Sequence, residues 1–278
     1  MKLDGQTQFA GVMGWPVAHS LSPLIHGYWL EKHQINAVYL PFPTQPDHLN
    51  EVITALPHMG CVGVNLTIPH KQAVMPLLDA VDDTARGIGA VNTVAMKDGE
   101  RHGFNTDAYG FIEGLKAQAD FHTGQALVIG AGGAARAVVH ALDQAGFTTI
   151  YIMNRTREKA EILTELSSHA KVINWQQAPA ELKDTDLLVN TTALGMTGKP
   201  TLDLDITDLP PHAAVCDIVY APLETALLKQ ARMQKLSTAD GLGMLLYQAQ
   251  KAFAIWFGVT PDVDDELRQR LIQHLEAV

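Results

Sequence analysis

Apolar runs of strand length alternate with helix-like stretches in the first third of the chain. Phe9–Met13, Ala37–Phe42 and Gly60–Ile68 have the length and composition of strands. Pro23–Lys32 suits a helix, with Ser22 as its N-cap and a proline at the first helical position. This alternation favours a mostly parallel sheet that is covered by helices.

The same alternation continues through the rest of the chain. Ala90–Met96 runs into Asp98–Gly99, which predicts a strand that enters a tight hairpin turn. A second α/β unit of about 130 residues, an ordinary domain size, follows the helical pattern at 108–116. Further strands are predicted at 126–129, 149–153, 186–189 and 214–218, and further helices at 132–145, from 157 onward, at 241–257 and at 264–275.

A glycine-rich turn opens this second unit. Gly130, Gly132 and Ala135 form the pattern G-x-G-x-x-A between a predicted strand and a predicted helix. Such a turn lets backbone N–H groups and a helix N-terminus face a pyrophosphate, although a tight strand-to-helix turn without a ligand would carry the same glycines. About twenty residues further on, where NAD-binding chains usually carry an acid, the sequence reads Asn154-Arg155-Thr156. A cation in place of the acid indicates NADP rather than NAD.

The residues after this second strand are rich in cations. Arg155, Arg157 and Lys159 fall at the start of a predicted helix, where the helix dipole favours acids. A bound phosphate would resolve that conflict, with Asn154 and Thr156 adding hydrogen bonds. A solvated helix start with Thr156 as a plain N-cap is the alternative.

Charge and cysteine content narrow the class of function. The chain has 30 acidic and 20 basic residues and a formal net charge of −10, which argues against nucleic acid or an anionic membrane as its main partner. Cys61 and Cys216 lie far apart in apolar runs, as is typical of buried small hydrophobes in a reducing compartment. The first residues lack the apolar core of a signal peptide, and polar residues interrupt 241–258 as in a buried helix rather than a membrane span. We therefore expect a cytoplasmic protein.

Polar residues inside apolar runs mark a second candidate region, separate from the glycine turn. Strand alternation places Asn65 and Thr67 on one face, and Lys71 follows at the start of a probable helix. Asn92 lies inside the next apolar run, and Asp107 follows the hairpin. A polyhydroxylated ligand could satisfy such groups, and a lysine and an aspartate near one cleft can share proton transfer. Each residue also has a structural reading, as a turn residue, a surface lysine or a helix N-cap.

Three histidines recur every seven residues, at His19, His26 and His33. This spacing is not the compact spacing of metal ligands on a helix. We interpret the latter two as part of a solvated helix face, and we expect no metal site.

The series of motifs along the chain resembles the shikimate dehydrogenases. The resemblance extends over nearly the whole sequence. The motifs that carry it are His19–Pro23, Asn65–Lys71, Gly89–Thr93, Gly103–Asp107, Gly130–Arg136, Asn154–Thr156 and Gly241–Ala249.

The resemblance implies NADPH-dependent reduction of 3-dehydroshikimate to shikimate, on the route to aromatic amino acids. It implies an α/β protein with two α/β domains and NADP(H) as the cofactor. Residues 1–107 would form a substrate domain with a mostly parallel sheet, and the helices of 242–278 would return to it. Residues 108–241 would form a Rossmann-type NADP-binding domain. The chain would act as a monomer or homodimer on a small-molecule substrate.

The resemblance also implies a role for each candidate residue. Lys71 and Asp107 would be the catalytic pair and would also contact the substrate, and Ser20 and Ser22 would hold its carboxylate. The remaining substrate-binding residues implied are Thr67, Asn92 and Gln248 at the ring hydroxyls and Tyr220 near the carboxylate. The cofactor-binding residues implied are Gly130, Ala131, Gly132, Gly133, Ala134, Asn154, Arg155 and Thr156, with Gly241 beside the nicotinamide.

One residue departs from the family pattern, and two other functions compete. His70 stands where the family often has a bulky apolar residue, and we expect it to pack or to be exposed rather than to tune the site. The nearest alternative is a quinate/shikimate dehydrogenase with broader substrate use or with NAD as coenzyme, and Asn154-Arg155-Thr156 argues against the NAD preference. A non-catalytic NADP-binding regulator would lack the equivalents of Lys71 or Asp107, yet both are present.

Overall fold

The computed structural model describes residues 3–277 and has an α/β fold, as predicted. The strands are β1 Gln8–Gly14, β2 Ala37–Pro43, β3 Cys61–Leu66, β4 Ala80–Val81, β5 Thr93–Lys97, β6 Glu100–Phe104, β7 Gln125–Ile129, β8 Thr149–Met153, β9 Ala170–Ile173, β10 Leu187–Asn190, β11 Ala214–Asp217 and β12 Ser237–Asp240. The helices are α1 Ser22–Lys32, α2 Leu49–Ala55, α3 His70–Ala73, α4 Asp83–Ile88, α5 Asp107–Lys116, α6 Gly133–Gln144, α7 Arg157–Leu163, α8 Ala178–Leu182, α9 Ala226–Met233, α10 Gly241–Phe257 and α11 Asp265–Ala277.

The chain divides into two compact units. The first unit comprises Met1–Thr106 and Ala249–Val278, and the second comprises Asp107–Gln248. Helix α10 continues across the second division. That division therefore falls inside the helix, whereas the sequence analysis places it at the start of the helix, and Asp107 and Gln248 both belong to the second unit.

The first unit is built on a six-stranded sheet with the order β2-β1-β3-β5-β6-β4. The pairs β1–β2, β1–β3 and β4–β6 are parallel, whereas β5 runs antiparallel to β3 and β6. The β5–β6 hairpin turns at Asp98 and Gly99, with φ angles of 54° and 83°. Two positive φ angles are what a two-residue hairpin turn of this twist requires, so the predicted Asp-Gly turn is confirmed.

Aromatic side chains cover part of this sheet. His26 of α1 stacks on Tyr39 of β2, with ring centroids 4.2 Å apart and planes 5° apart. Trp29, Phe253 and Trp256 lie around the same imidazole. His26 is fully buried, and neither ring nitrogen has a hydrogen-bond partner among the described residues. The interpretation of His26 as part of a solvated helix face is therefore wrong, because its face of α1 packs into the aromatic cluster.

The second unit holds a six-stranded, wholly parallel sheet with the order β12-β11-β10-β7-β8-β9. This is the strand order of a Rossmann fold, and the chain reverses direction across the sheet between β7 and β10. The strands are apolar and buried, as in Leu127, Ile129 and Val215, because helices cover a parallel sheet on both faces. Ligands of such sheets bind beyond the carboxyl ends of the strands at the reversal point, which here is the end of β7.

Candidate active site

In the glycine turn after β7, one position requires glycine for its backbone conformation, and two others have free space around them. Gly130 has a φ of 109°, and a Cβ there would lie 2.5 Å from the Thr191 hydroxyl oxygen, so only glycine fits. A Cβ at Gly132 or Gly133 would meet no protein atom within 4 Å. Protein packing therefore does not require these two glycines, whereas a ligand that approaches the backbone closely would.

The start of α6 is suited to an anion. Gly132 is its N-cap residue and provides no side-chain capping hydrogen bond, and the first turn carries no acid. The first N–H groups of the helix have no partners within it, and the helix dipole favours negative charge there. Ala135 is fully buried and takes the third small position of the fingerprint. The turn, with Ala131 and Ala134 beside its open glycines, therefore fits the pyrophosphate of a dinucleotide.

A cavity of about 410 Å³ adjoins this turn within the second unit. Gly130, Asn154 and Arg155, which were predicted to bind the cofactor, line it. Trp175 and Lys199 also line it, and the sequence analysis missed both. They come from the loops after β9 and β10, and no sequence spacing links them to the fingerprint.

Only one of the three predicted cations lines this cavity. Arg157 pairs with Glu161 through its Nε at 2.8 Å, and its Nη1 donates to Asn174 at 3.1 Å. Arg155 makes no hydrogen bond or ion pair through its side chain with any residue of the described range 3–277. Thr156 is the N-cap residue of α7 without a side-chain capping bond, and the Asn154 amide donates to its carbonyl oxygen at 2.7 Å. Arg155 is thus the member of the predicted three-cation cluster that lines the cavity, whereas Arg157 is held by Glu161 and Asn174.

Two further predicted residues of the second unit follow β11 and β12. Gly241 begins α10, and a Cβ there would clash with the backbone of Ile218, which explains the glycine. Its N–H donates to the Val219 carbonyl at 3.2 Å. Tyr220 is half-buried, and burial raises its pKa.

Asp107 and Gln248 lie on two helices of the second unit that pack closely. Asp107 is the first residue of α5 and is buried. Gln248 on α10 is also buried, and its amide donates to the Leu245 carbonyl at 2.9 Å. Gly110 of α5 permits the close packing, because a Cβ there would lie 2.7 Å from the backbone nitrogen of Gln248.

In the first unit, the two predicted carboxylate-binding serines lie at the start of α1. Leu21 is the N-cap residue and Ser22 is the first helical residue, so the prediction of Ser22 as N-cap is off by one position. The Ser22 N–H donates to the Ser20 hydroxyl oxygen at 3.3 Å, which satisfies one N–H group at the helix start. The pair therefore presents two hydroxyl groups at a helix N-terminus, where a carboxylate is stabilised.

Thr67 and Lys71 follow β3. The Thr67 N–H donates to Met13 at 2.9 Å, and the Lys71 carbonyl accepts from Val91 at 2.8 Å. Between them, His70 is buried, and its Nε2 lies 2.8 Å from the Thr44 carbonyl oxygen. His70 is therefore packed in the interior, which is one of the two arrangements, packing or exposure, that were expected for it.

Asn92 is held by several hydrogen bonds within the first unit. Its Oδ1 accepts from the Thr106 backbone N–H at 2.7 Å and from the Thr93 hydroxyl at 3.1 Å. Its Nδ2 donates to the Thr106 hydroxyl at 2.9 Å. Asn65, a polar residue of the second candidate region, donates to the Asn92 carbonyl at 3.2 Å.

The candidate residues therefore fall into two sets. The first unit contains Ser20, Ser22, Thr67, Lys71 and Asn92, and the second unit contains the glycine turn, Arg155, Asp107, Tyr220, Gly241 and Gln248. Within residues 3–277, no three His, Cys, Asp or Glu side chains are grouped so that they could hold a metal ion. No helix in that range combines the length and the apolar character needed to cross a membrane.

Models of known protein families match segments in both units of the chain. The model described as "Shikimate dehydrogenase substrate binding domain" matches residues 12–94, and "Shikimate / quinate 5-dehydrogenase" matches residues 114–197. "Shikimate 5'-dehydrogenase C-terminal domain" matches residues 241–265. A protein of Paramagnetospirillum magneticum named "Shikimate dehydrogenase (NADP(+))" is 51% identical over 271 residues, which cover 96% of this chain and 98% of that protein.

The chain belongs to the shikimate dehydrogenase family. Solved structures agree with this assignment. The shikimate 5-dehydrogenase of Listeria monocytogenes, in complex with shikimate and NAD, is 32% identical with a TM-score of 0.92 and 98% coverage of each chain. The shikimate 5-dehydrogenase of Thermus thermophilus, in complex with NADP(H) and shikimate, is 36% identical with a TM-score of 0.84, covering 97% of this chain and all of that one.

Proposed function

We propose that the chain is an NADP-dependent shikimate dehydrogenase that reduces 3-dehydroshikimate to shikimate reversibly. The observation that carries this proposal is the open glycine turn at Gly132 and Gly133, followed by Arg155 in the adjoining cavity, in a chain of this family. The turn suits the pyrophosphate, and a guanidinium in place of an acid suits a ribose phosphate. The proposal places the protein in the cytoplasm, which two buried, unpaired cysteines support.

The proposed cofactor-binding residues would contact different parts of NADP(H). Gly130, Ala131, Gly132, Gly133 and Ala134 would hold the pyrophosphate, and Asn154, Arg155 and Thr156 the adenosine side. Gly241 would lie by the nicotinamide. When bound, NADPH supplies a hydride to the substrate carbonyl.

Side chains of this protein would supply the proton and would stabilise the charge that develops on the substrate. The Lys71 ammonium would stabilise the negative charge that develops on the carbonyl oxygen, and Lys71 or Asp107 would provide the proton. Ser20 and Ser22 would fix the carboxylate, with Tyr220 near it. Thr67, Asn92 and Gln248 would bind the ring hydroxyls.

Substitution of Lys71 tests this assignment. We expect Lys71→Ala to lower kcat for shikimate oxidation by about 10²- to 10⁴-fold, with a much smaller change in KM, because general acid–base groups contribute that much. The rate is read from the absorbance of the reduced nicotinamide. Lys97→Ala, on the exposed end of the β5–β6 hairpin, is the control and retains full activity. An increase in KM alone would make Lys71 a binding residue instead.

A broader quinate/shikimate dehydrogenase is the second candidate. A quinate dehydrogenase of Corynebacterium glutamicum, in complex with NAD, is 30% identical with a TM-score of 0.90. Arg155 favours NADP over NAD in this chain, so the two candidates differ in coenzyme preference as well as in substrate.

A further inference from the structure

A line of buried polar side chains crosses the sheet of the first unit beneath the proposed substrate-binding residues. Tyr39, Asn65, Thr93 and Thr106 come from β2, β3, β5 and the segment after β6, and all are buried. In the sheet register, Asn65 lies directly opposite Thr93. Cross-strand neighbours on one face are close enough to bond, whereas the Tyr39 side chain reaches Asn65 across the intervening strand β1.

The hydrogen bonds along this line have a fixed direction. The Tyr39 hydroxyl donates to Asn65 Oδ1 at 2.7 Å, which sets the orientation of the Asn65 amide. Asn65 Nδ2 then donates to the Thr93 hydroxyl oxygen at 3.0 Å. The Thr93 hydroxyl in turn donates to Asn92 Oδ1 at 3.1 Å, and its oxygen also lies 3.3 Å from the Thr106 hydroxyl oxygen.

The line ends at Asn92, a proposed substrate-binding residue. There the Asn92 amide is oriented by Thr93 and by the Thr106 backbone N–H, so that Nδ2 and Oδ1 cannot exchange places. At the other end lies the buried Tyr39 phenol. The Tyr39 ring is itself held by its stack on His26.

We propose that Tyr39 and Thr93 are positioning residues for shikimate binding, which hold the Asn92 amide in its binding orientation, Tyr39 through Asn65 and Thr93 directly. Neither residue needs to touch the substrate. This inference rests on the proposed function of Asn92. It predicts that loss of either hydroxyl weakens substrate binding specifically, because a preoriented donor loses less freedom when the ligand binds.

The test compares Tyr39→Phe and Thr93→Val with the wild type in shikimate oxidation. We expect KM for shikimate to rise about tenfold in each, the effect of about one lost hydrogen bond, while kcat and KM for NADP+ stay within about twofold. Thr93→Ser, which retains the hydroxyl, is expected to restore most of the affinity. The double variant is expected to be less than additive, since both substitutions interrupt one line.

Tyr28→Phe is the matched control. Tyr28 also lies in the first unit and donates from its hydroxyl, to Asp264 Oδ2 at 2.9 Å, but it does not join the line. The KM of Tyr28→Phe for shikimate is expected to match that of the wild type. Unchanged KM for shikimate in Tyr39→Phe and Thr93→Val would overturn the proposal, as would equal KM values for Thr93→Ser and Thr93→Val. If Tyr39→Phe does not fold, the two Thr93 variants decide alone. Absence of shikimate oxidation in the wild type would instead overturn the proposed function.

Discussion

The buried imidazole of His26 makes the stability of the first unit depend on pH. Burial lowers the pKa of His26 from its ordinary 6.5 to about 3. Its ring is enclosed by aromatic residues, and both nitrogens lack partners among the described residues. The folded state therefore disfavours the protonated ring, whereas the unfolded state accepts the proton below about pH 6.5.

The size of the effect follows from the two pKa values. The contribution of His26 is fully present above pH 6.5 and is lost as the pH falls toward about 3. The loss is about 1.4 kcal/mol per pH unit in that interval, so a fall from about pH 7.5 to about pH 5 costs about 2 kcal/mol. We expect His26→Phe, which keeps an aromatic ring in the cluster, to remove about that much of the pH dependence.

The assay is urea denaturation at the two pH values, followed by tryptophan fluorescence. Trp29 and Trp256 adjoin His26, so their signal reports the unfolding of its cluster. The difference in unfolding free energy between the two pH values is compared for wild type, His26→Phe and the control His58→Gln, whose side chain is exposed. If His26→Phe shows the same pH dependence as the wild type, or if His58→Gln loses it equally, then burial of His26 is not its cause.

Two predictions concern the coenzyme site. Arg155→Gln is expected to raise KM for NADP+ about tenfold to hundredfold and to leave KM for NAD+ within about twofold, because the variant would lose the charged hydrogen bond that we propose between Arg155 and the ribose phosphate. Arg157→Gln is the matched control, since Glu161 holds that guanidinium, and an equal effect of both variants on NADP+ would contradict the assignment. Gly132→Ala is expected to keep the wild-type Tm, because the added methyl meets no protein atom, yet to raise KM for both coenzymes about tenfold. Coenzyme affinity equal to the wild type in this variant would show that the turn does not hold the pyrophosphate.

Local patterns accounted for most of the fold, and the exceptions have identifiable causes. Strand β7, the glycine turn and α6 were predictable because their signals lie within about twenty consecutive residues. Strand β12, which reads Ser-Thr-Ala-Asp, was not predicted. It lies at the sheet edge and two of its four residues are only half-buried, so it has no apolar run.

Some features could not be predicted because they depend on contacts between residues that are far apart in the sequence. Tyr39 and Asn65 hydrogen-bond across 26 residues, a contact that depends on the placement of β1 between β2 and β3. Trp175 lines the cavity beside the glycine turn and comes from a loop after β9, a strand that was not predicted from the sequence. His26 was misinterpreted because the sequence does not show which face of α1 meets the aromatic residues of α10.

The central claim is that this chain oxidises shikimate with NADP+. The most direct measurement is kcat/KM for the purified protein with shikimate and with quinate, each with NADP+ and with NAD+. We expect the highest value for shikimate with NADP+, at least about tenfold above shikimate with NAD+, as for one charged contact to the ribose phosphate. Absence of shikimate turnover with either coenzyme, or a kcat/KM with NAD+ that equals or exceeds the value with NADP+, would contradict it.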